Sequence, residues 1–230
     1  MKTTFIGRRA NARNNAPLVL MFAGWGMDET PFADYSAPEG CDLALCFDYT
    51  TLDFENDFFA GREVRRVVAW SLGVWAASVA FGRVPALANA PQRIAANGTP
   101  FPIDDERGIP KASFDGTLTG LSDIALAKFI RRMCRDDATL AFFNARRPER
   151  PLESLRAELA AIREAVAAED VDGARFTHAI VGKRDAIFTP RNQLAAWESS
   201  DKTDGNKTTI ITTDSPHYDD AVLRNAIYGH

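Results

Sequence analysis

The sequence contains few cysteines and no long uninterrupted apolar run. Its three cysteines, Cys41, Cys46 and Cys134, form no C-x-x-C pair, which disfavours a disulfide framework or a zinc site and fits a reducing compartment. The apolar stretch over 67–90 is broken by glycines, an arginine and a proline before it could span a membrane. The N-terminus lacks the apolar core of a signal peptide. We therefore expect a cytoplasmic protein.

The chain also lacks a strong charge of either sign. Its 230 residues carry a formal net charge of -4, with 46% apolar and 25% charged residues, as in an ordinary soluble domain. This balance gives no reason to expect binding to nucleic acid or to a membrane surface.

Short apolar runs alternate with amphipathic segments, which is typical of a parallel sheet flanked by helices. We predict a single α/β domain over 1–230 with a mostly parallel sheet. Helical periodicity over 121–168, in two runs, follows a loop over 101–110, so we expect residues 101–172 to form a helical lid. A turn is predicted over 7–16, and helices over 53–61 and 218–226. The predicted strands are 2–6, 17–23, 43–47, 65–70, 92–96, 176–181 and 208–213.

Ser71 stands where a predicted strand passes directly into a predicted helix. The residues two places before and after it, Ala69 and Gly73, are small. A serine between small residues at such a junction is typical of a nucleophile elbow, in which a sharp turn projects the hydroxyl above the sheet. A tight strand-to-helix turn without a catalytic role would have the same local pattern. The two interpretations are distinguished by whether the rest of the chain supplies the partners that a nucleophile needs.

A nucleophilic serine needs a histidine base and an acid that orients the histidine. His217 follows the last strand, which we expect to be buried, whereas His178 lies within a strand and His230 is the last residue. Asp185 follows the strand at 176–181 and completes the order Ser, Asp, His of the α/β-hydrolases. We choose it over two competing acids, Asp48 and Asp214.

The same chemistry requires two backbone N–H donors for the oxyanion. We assign one to Leu72, the residue after the nucleophile, and the other to Trp25, which lies between two glycines in the turn after the first central strand. No cofactor or metal is expected. The histidines have no partners at ligand spacing, and the turn at Gly24 lacks the third glycine of a dinucleotide fingerprint.

Several of these motifs together resemble the BioG-type pimeloyl-[acyl-carrier protein] methyl ester esterases of biotin synthesis. The resemblance implies an α/β-hydrolase fold and removal of the methyl group that masks the distal carboxylate of the pimeloyl chain. It also implies the triad Ser71, Asp185 and His217, with Trp25 and Leu72 as oxyanion donors. The motifs that carry it are Phe22-Ala-Gly-Trp-Gly-Met-Asp, Asp48-Tyr49, Ala69-Trp-Ser-Leu-Gly-Val, Asn97-Gly-Thr-Pro, Ile103-Asp104, Gly108-Ile-Pro110 and Ser215-Pro-His217.

The resemblance implies an acyl carrier protein as partner. Arginines of the predicted lid could meet such an acidic protein, although each could equally belong to a solvated helix face. Two other functions stay open: a broad esterase or thioesterase acting on small acyl esters, and a binding protein on the same fold without catalysis. The arginines are Arg131, Arg132, Arg135, Arg146 and Arg147.

Overall fold

A seven-stranded sheet lies at the centre of the computed structural model, which describes residues 1–7, 16–53, 61–169, 171, 175–200 and 207–229. The strand order is β1-β3-β2-β4-β5-β6-β7; β1 is antiparallel to β3 and the other pairs are parallel. The strands are β1 (Lys2–Gly7), β2 (Leu18–Phe22), β3 (Asp42–Phe47), β4 (Val64–Trp70), β5 (Gln92–Ala96), β6 (His178–Gly182) and β7 (Thr209–Thr213).

The predicted strands all occur, with ends that differ by no more than two residues. The continuous apolar runs of β2 and β3 are buried along their whole length, as expected for central strands covered on both faces. The expectation of a buried last strand was wrong. β7 pairs with β6 on one side and forms the edge of the sheet, so its β-branched residues are largely exposed.

Helices connect most of the strands and pack against the sheet. A 3-10 turn (Thr30–Phe32) follows β2, and the longest connection, between β5 and β6, contains four of the helices. The helices are α1 (Gly73–Arg83), α2 (Pro85–Ala88), α3 (Lys111–Gly120), α4 (Asp123–Cys134), α5 (Asp137–Asn144), α6 (Leu152–Ala168), α7 (Pro190–Ser200) and α8 (Asp220–Tyr228). In the described part of the chain, none of them combines the length and apolarity needed to cross a membrane.

The segment that contains α3 to α6, here called the insertion, has more helices than the two predicted runs. Ser122 and Asp136 explain the additional boundaries, because their side chains accept hydrogen bonds from Ala125 N (3.3 Å) and Thr139 N (2.9 Å) and cap α4 and α5. Between these helices Arg135 has a φ of 68°, which ends α4. The predicted helix over 53–61 and turn over 7–16 fall largely outside the described residues.

Candidate active site

Ser71 occupies the junction between β4 and α1. Its φ of 60° is rare for a residue with a side chain and matches the strained turn expected of a nucleophile elbow. A Cβ on Gly73 would lie 2.4 Å from the carbonyl oxygen of Phe22, so glycine is required there. Ala69 is fully buried in β4 and pairs with Phe22, which shows that a methyl group is accommodated at this position.

The structure brings His217 and Asp185 to Ser71. His217 Nε2 lies 2.9 Å from Ser71 Oγ, and His217 Nδ1 lies 2.8 Å from Asp185 Oδ2. The three residues follow β4, β6 and β7, and the side chains of His217 and Asp185 are almost completely buried. This hydrogen-bonded chain has the geometry that a serine nucleophile, its base and the orienting acid require.

Four hydrogen bonds occupy the Asp185 carboxylate. Oδ1 accepts from the backbone N–H groups of Ile187 (2.7 Å) and Phe188 (3.0 Å), which form the turn before α7. Oδ2 accepts from Gln193 Nε2 (3.0 Å) in addition to its contact with His217. Sequence reasoning missed Gln193. It sits on the first turn of α7 with a fully buried side chain, and no motif marked it.

The backbone and ring of His217 are also held in place. Its carbonyl oxygen accepts hydrogen bonds from Trp70 Nε1 (2.9 Å) and Asn97 Nδ2 (3.0 Å). Asn97 also accepts a hydrogen bond from Gly182 N (2.8 Å), so it links the ends of β5 and β6 to the histidine loop. The ring of Phe188 stacks on the imidazole with 6.1 Å between centroids. In the sequence, Asn97 stood out only as the first residue of the Asn97-Gly-Thr-Pro motif after a predicted strand, with no role assigned.

The two predicted oxyanion donors lie at the same cavity as Ser71 and His217. Trp25 follows β2, Leu72 precedes α1, and both line this cavity. Among the described residues, neither backbone N–H has a hydrogen-bond acceptor. A Cβ on Gly24 would lie 3.1 Å from Ser71 Cβ, so glycine lets the loop approach Ser71 closely.

A buried carboxylate, Glu158, contacts the far side of the Trp25 loop. Glu158 belongs to α6 and is fully buried, and its oxygens accept from Gly26 N (3.2 Å), Tyr49 N (2.9 Å) and Arg150 Nη1 (2.7 Å). Burial raises the pKa of Glu158, although the charge of Arg150 and these hydrogen bonds oppose that shift. Sequence reasoning missed it, but a glutamate inside the apolar stripe of α6 was a usable signal.

Asp48, Glu158 and Arg150 form a buried cluster, which Asp48 connects to Lys2 of the N-terminal strand. Its carboxylate contacts Arg150 Nη2 (3.2 Å) and Lys2 Nζ (2.8 Å) and accepts a hydrogen bond from Thr50 Oγ1 (2.5 Å). Burial alone would raise the pKa of Asp48, but the hydrogen bonds from Lys2 and Thr50 and the charge of Arg150 outweigh it and lower the pKa to about 2.

The cavity at Ser71 has a volume of about 40 Å³, and a second cavity of about 160 Å³ lies beside it. Trp25, Phe129 and Met133 line both, and the rings of Trp25 and Phe129 meet edge to face at 5.2 Å. Arg132 lines the first cavity and donates a hydrogen bond to the carbonyl oxygen of Ala186 (2.7 Å), while Arg147 lines the second. The two spaces therefore share an aromatic wall.

The other residues considered in the sequence lie away from Ser71. His178 begins β6, at the opposite end of that strand from Asp185. Asp214 is exposed beside Arg184, and Asp48 belongs to the buried cluster. His230 lies outside the described residues. Within the described ranges, no group of three or more His, Cys, Asp or Glu side chains is placed to hold a metal ion.

Comparison with known protein families and relatives gives consistent results. A family model described as pimeloyl-ACP methyl esterase BioG matches residues 1–218. A Bacteroides fragilis protein named malonyl-[acyl-carrier protein] O-methyltransferase is 44% identical over 208 residues, which cover 90% of this chain. The match covers 40% of that relative, so this chain spans less than half of its length.

Solved structures show the same fold. A crystal structure of BioG from Haemophilus influenzae has a TM-score of 0.83 and 32% identity, with 99% of this chain and 100% of that chain covered. A hydrolase from Pseudomonas aeruginosa has a TM-score of 0.64 and 15% identity, with coverage of 99% and 91%. The second likeness concerns the fold alone, and both agree with the predicted α/β-hydrolase architecture.

Proposed function

Because the chain belongs to the BioG family of pimeloyl-ACP methyl esterases, we propose that it converts pimeloyl-[acyl-carrier protein] methyl ester and water to pimeloyl-[acyl-carrier protein] and methanol. The fold and the family are those of carboxylic ester hydrolases. The observation that carries the proposal is the continuous contact from Asp185 through His217 to Ser71 beside a small cavity. The product carboxylate would then be available for biotin synthesis.

In the proposed first half-reaction, Ser71 acts as nucleophile and His217 as general base. Asp185 keeps the imidazole proton on Nδ1, so that Nε2 can accept the proton from Ser71 Oγ. Oγ attacks the ester carbonyl carbon, and the backbone N–H groups of Trp25 and Leu72 stabilise the oxyanion. The bond to the methoxy oxygen then breaks, His217 transfers its proton to that oxygen, and methanol departs.

The second half-reaction uses the same groups with water as nucleophile. Water gives a proton to His217 Nε2 and attacks the acyl carbon, while the N–H groups of Trp25 and Leu72 stabilise the second oxyanion. The bond to Ser71 Oγ breaks, and His217 returns the proton to the serine. No redox step is involved, and the enzyme ends in its starting protonation state.

The acyl carrier protein is the proposed partner, and α4 is the surface where we expect it to bind. Lys128 and Arg131 are exposed at positions i and i+3, so they share one side of this helix, and Arg135 is exposed directly after its end. Ile124 continues the same side with 71% of its surface exposed. The opposite side of α4 supplies Phe129 and Met133 to the cavity at Ser71. An acidic carrier bound there would be separated from the cavity at Ser71 by α4 alone.

Two of the lid arginines lie close to acidic residues. Arg131 lies 3.3 Å from Asp137, and Arg146 lies 3.4 Å from Asp34 and stacks over the ring of Phe142. Exposed pairs of this kind are weak and would not prevent contact with a carrier.

Within this proposal residues 101–172 act as a lid on a single hydrolase domain. The cytoplasm is the proposed location, which the three free cysteines support.

Mass spectrometry of methyl-pimeloyl carrier protein tests the reaction. The wild-type enzyme should remove the mass of one CH2 unit, and Ser71→Ala should reduce the rate by about 10⁴-fold or more. Loss of the whole acyl group would instead identify a thioesterase. If the carrier-bound ester stays intact while a fluorophosphonate still labels Ser71, the chain is an esterase with another substrate. Absence of labelling in folded wild-type protein would favour a non-catalytic binding protein.

The role of the carrier protein is tested by comparing the carrier-bound methyl ester with dimethyl pimelate, a free ester of the same acid. The carrier-bound ester should have the higher kcat/KM, and salt should reduce this preference because charge attraction is screened. Equal values for both substrates at low salt would contradict a role for the carrier protein and favour a broad esterase.

A further inference from the structure

The loop over residues 23–28, which carries the proposed oxyanion donor Trp25, is attached to the insertion as well as to the sheet. Trp25 Nε1 donates a hydrogen bond to the carbonyl oxygen of Leu155 (2.9 Å), and Gly26 N donates to Glu158 Oε2 (3.2 Å). Both acceptors belong to the first two turns of α6. The outer surface of the loop is therefore hydrogen-bonded to α6, a helix that is distant in sequence.

Neighbouring residues strengthen the same attachment. Arg150 Nη1 donates to the carbonyl oxygen of Met27 (3.2 Å), and Asp28 Oδ2 accepts from Glu149 N (2.8 Å). Tyr49 donates its hydroxyl to the carbonyl oxygen of Ala23 (2.7 Å). Residues on both sides of Trp25 are thus fixed by hydrogen bonds. Among the described residues, no protein group accepts a hydrogen bond from Trp25 N.

Glu158 is the centre of this arrangement because it joins three separate segments. Its two oxygens accept hydrogen bonds from Gly26 N of the Trp25 loop, from Tyr49 N of the loop after β3, and from the guanidinium of Arg150 in the segment before α6. A buried ion pair is a weak source of stability because both charges lose their hydration. Its clearer consequence here is geometric, since a carboxylate accepts from all three donors at once.

The geometry of the peptide chain connects Glu158 to the oxyanion. The hydrogen bond to Gly26 N fixes the plane of the peptide between Trp25 and Gly26, and the indole hydrogen bond fixes the Trp25 side chain. Gly26 has a φ of 77°, so the chain reverses directly after this peptide. With the peptide after Trp25 and the indole both held, Trp25 has little freedom to move, which restricts the Gly24–Trp25 peptide that carries the Trp25 N–H.

We propose that Glu158 is a positioning residue for the oxyanion hole: through Gly26 it sets the direction of the Trp25 N–H, and it makes a complete hole dependent on α6 being in place. The inference rests on the proposed function only in requiring ester hydrolysis at Ser71. It requires neither a carrier protein nor a particular acyl chain.

Glu158→Gln tests this role with little change in shape. The amide nitrogen must replace one oxygen, so it faces either the Tyr49 N–H or both the Gly26 N–H and Arg150. The contacts that remain are weaker because the amide oxygen carries no charge. Hydrolysis of p-nitrophenyl acetate, which needs no carrier, should show a 10- to 100-fold lower kcat with KM within about twofold, since the lost interaction acts in the transition state. Affinity for a trifluoromethyl ketone, which forms an oxyanion with the serine, should fall by the same factor.

Expressing kcat per fluorophosphonate-reactive site separates positioning from loss of folded enzyme. A purely structural role would lower the number of reactive sites and leave kcat per site unchanged, and this outcome would overturn the proposal. Glu164→Gln makes the same chemical change at an exposed position of α6 and should behave as wild type. An equal loss in this control would also overturn it.

A second variant keeps the test decisive if Glu158→Gln does not fold. Arg150→Lys preserves the positive charge but cannot contact Glu158, Asp48 and the Met27 carbonyl together. Its kcat should fall several-fold, which is less than in Glu158→Gln, while its KM stays close to that of wild type. Wild-type kcat and ketone affinity in this variant would contradict the proposal. If wild type hydrolyses p-nitrophenyl acetate but not the carrier-bound ester, only the proposed substrate is wrong.

Discussion

The two sides of the candidate site obtain their rigidity from different parts of the molecule. The proposed nucleophile, Ser71, and its partners Asp185 and His217 form what is here called the nucleophile side. They follow β4, β6 and β7 and are joined by hydrogen bonds across a continuous sheet. The proposed oxyanion donor Trp25 forms the oxyanion side; it follows β2, but its outer surface contacts α6 of the insertion. The first side depends on strand pairing, whereas the second depends on contact with a helix from another part of the chain.

The polar groups that support each side also differ. Neutral amides contact the nucleophile side: Gln193 binds Asp185, and Asn97 binds the backbone of His217. Charged groups support the oxyanion side, where Arg150 lies between Glu158 and Asp48. Amides keep their hydrogen bonds over the whole accessible pH range, but carboxylates titrate. The comparison therefore predicts that, among these supporting groups, acid changes the charge only of those on the oxyanion side.

Asp185→Asn should have the largest effect of the changes considered below, and it should be confined to the nucleophile side. An amide donor facing Nδ1 favours the tautomer with the proton on Nε2, where His217 can no longer accept the proton of Ser71. We expect kcat for p-nitrophenyl acetate to fall by about 10⁴-fold. Asp214→Asn, at an exposed residue near the same histidine loop, is the control. Nearly normal turnover of Asp185→Asn would exclude Asp185 as the orienting acid.

Gln193→Leu should have an intermediate effect on the same side. The change removes the donor to Asp185 Oδ2 and to the carbonyl oxygen of Phe188 (2.7 Å) while keeping a side chain of similar size. Asp185 retains two backbone N–H donors, so we expect a loss in kcat of about 10-fold. Arg191→Leu, at an exposed position of α7, should leave kcat unchanged. A loss as large as that of Asp185→Asn would mean that the backbone donors alone do not orient the acid.

The nucleophile side could be predicted because each of its residues follows a short apolar run. Ser71 lies between small residues at a strand-to-helix junction, and the positions of Asp185 and His217 after later strands give the chain order of the fold. Parallel strands bring their carboxyl ends together, so sequence order translates into proximity without knowledge of side-chain contacts. The distances among these three side chains agree with that reasoning.

The supports of the oxyanion side could not be predicted in the same way. Glu158 is separated by more than a hundred residues from Gly26 and Tyr49, and its position in the buried stripe of α6 does not reveal its partners. On the nucleophile side, Gln193 likewise had no motif that distinguished it from a surface amide, and Asn97 stood in a motif of the resemblance without a role of its own. Such residues become recognisable only when the fold shows which backbone donors and acceptors are buried beside them.

The smallest expected effect concerns pH and stability on the oxyanion side. The pKa of Asp48 is about 2 in the folded protein, compared with about 3.9 for an unperturbed aspartate. Because the folded-state pKa is the lower one, the ionised carboxylate stabilises the protein above about pH 4, and this contribution is lost as the pH falls towards 2. Asp48→Asn should remove on the order of 2 kcal/mol of unfolding free energy at pH 6 and progressively less at pH 4 and 3.

Urea unfolding of wild type and Asp48→Asn at these pH values would measure the difference. Asp214→Asn, whose side chain is 84% exposed in the native protein, should leave the wild-type pH dependence unchanged. An Asp48→Asn protein that loses stability in acid as steeply as wild type would show that the Lys2–Asp48–Arg150 cluster does not govern this response. Acid sensitivity would then come from elsewhere, and the electrostatic contrast between the two sides of the site would no longer hold.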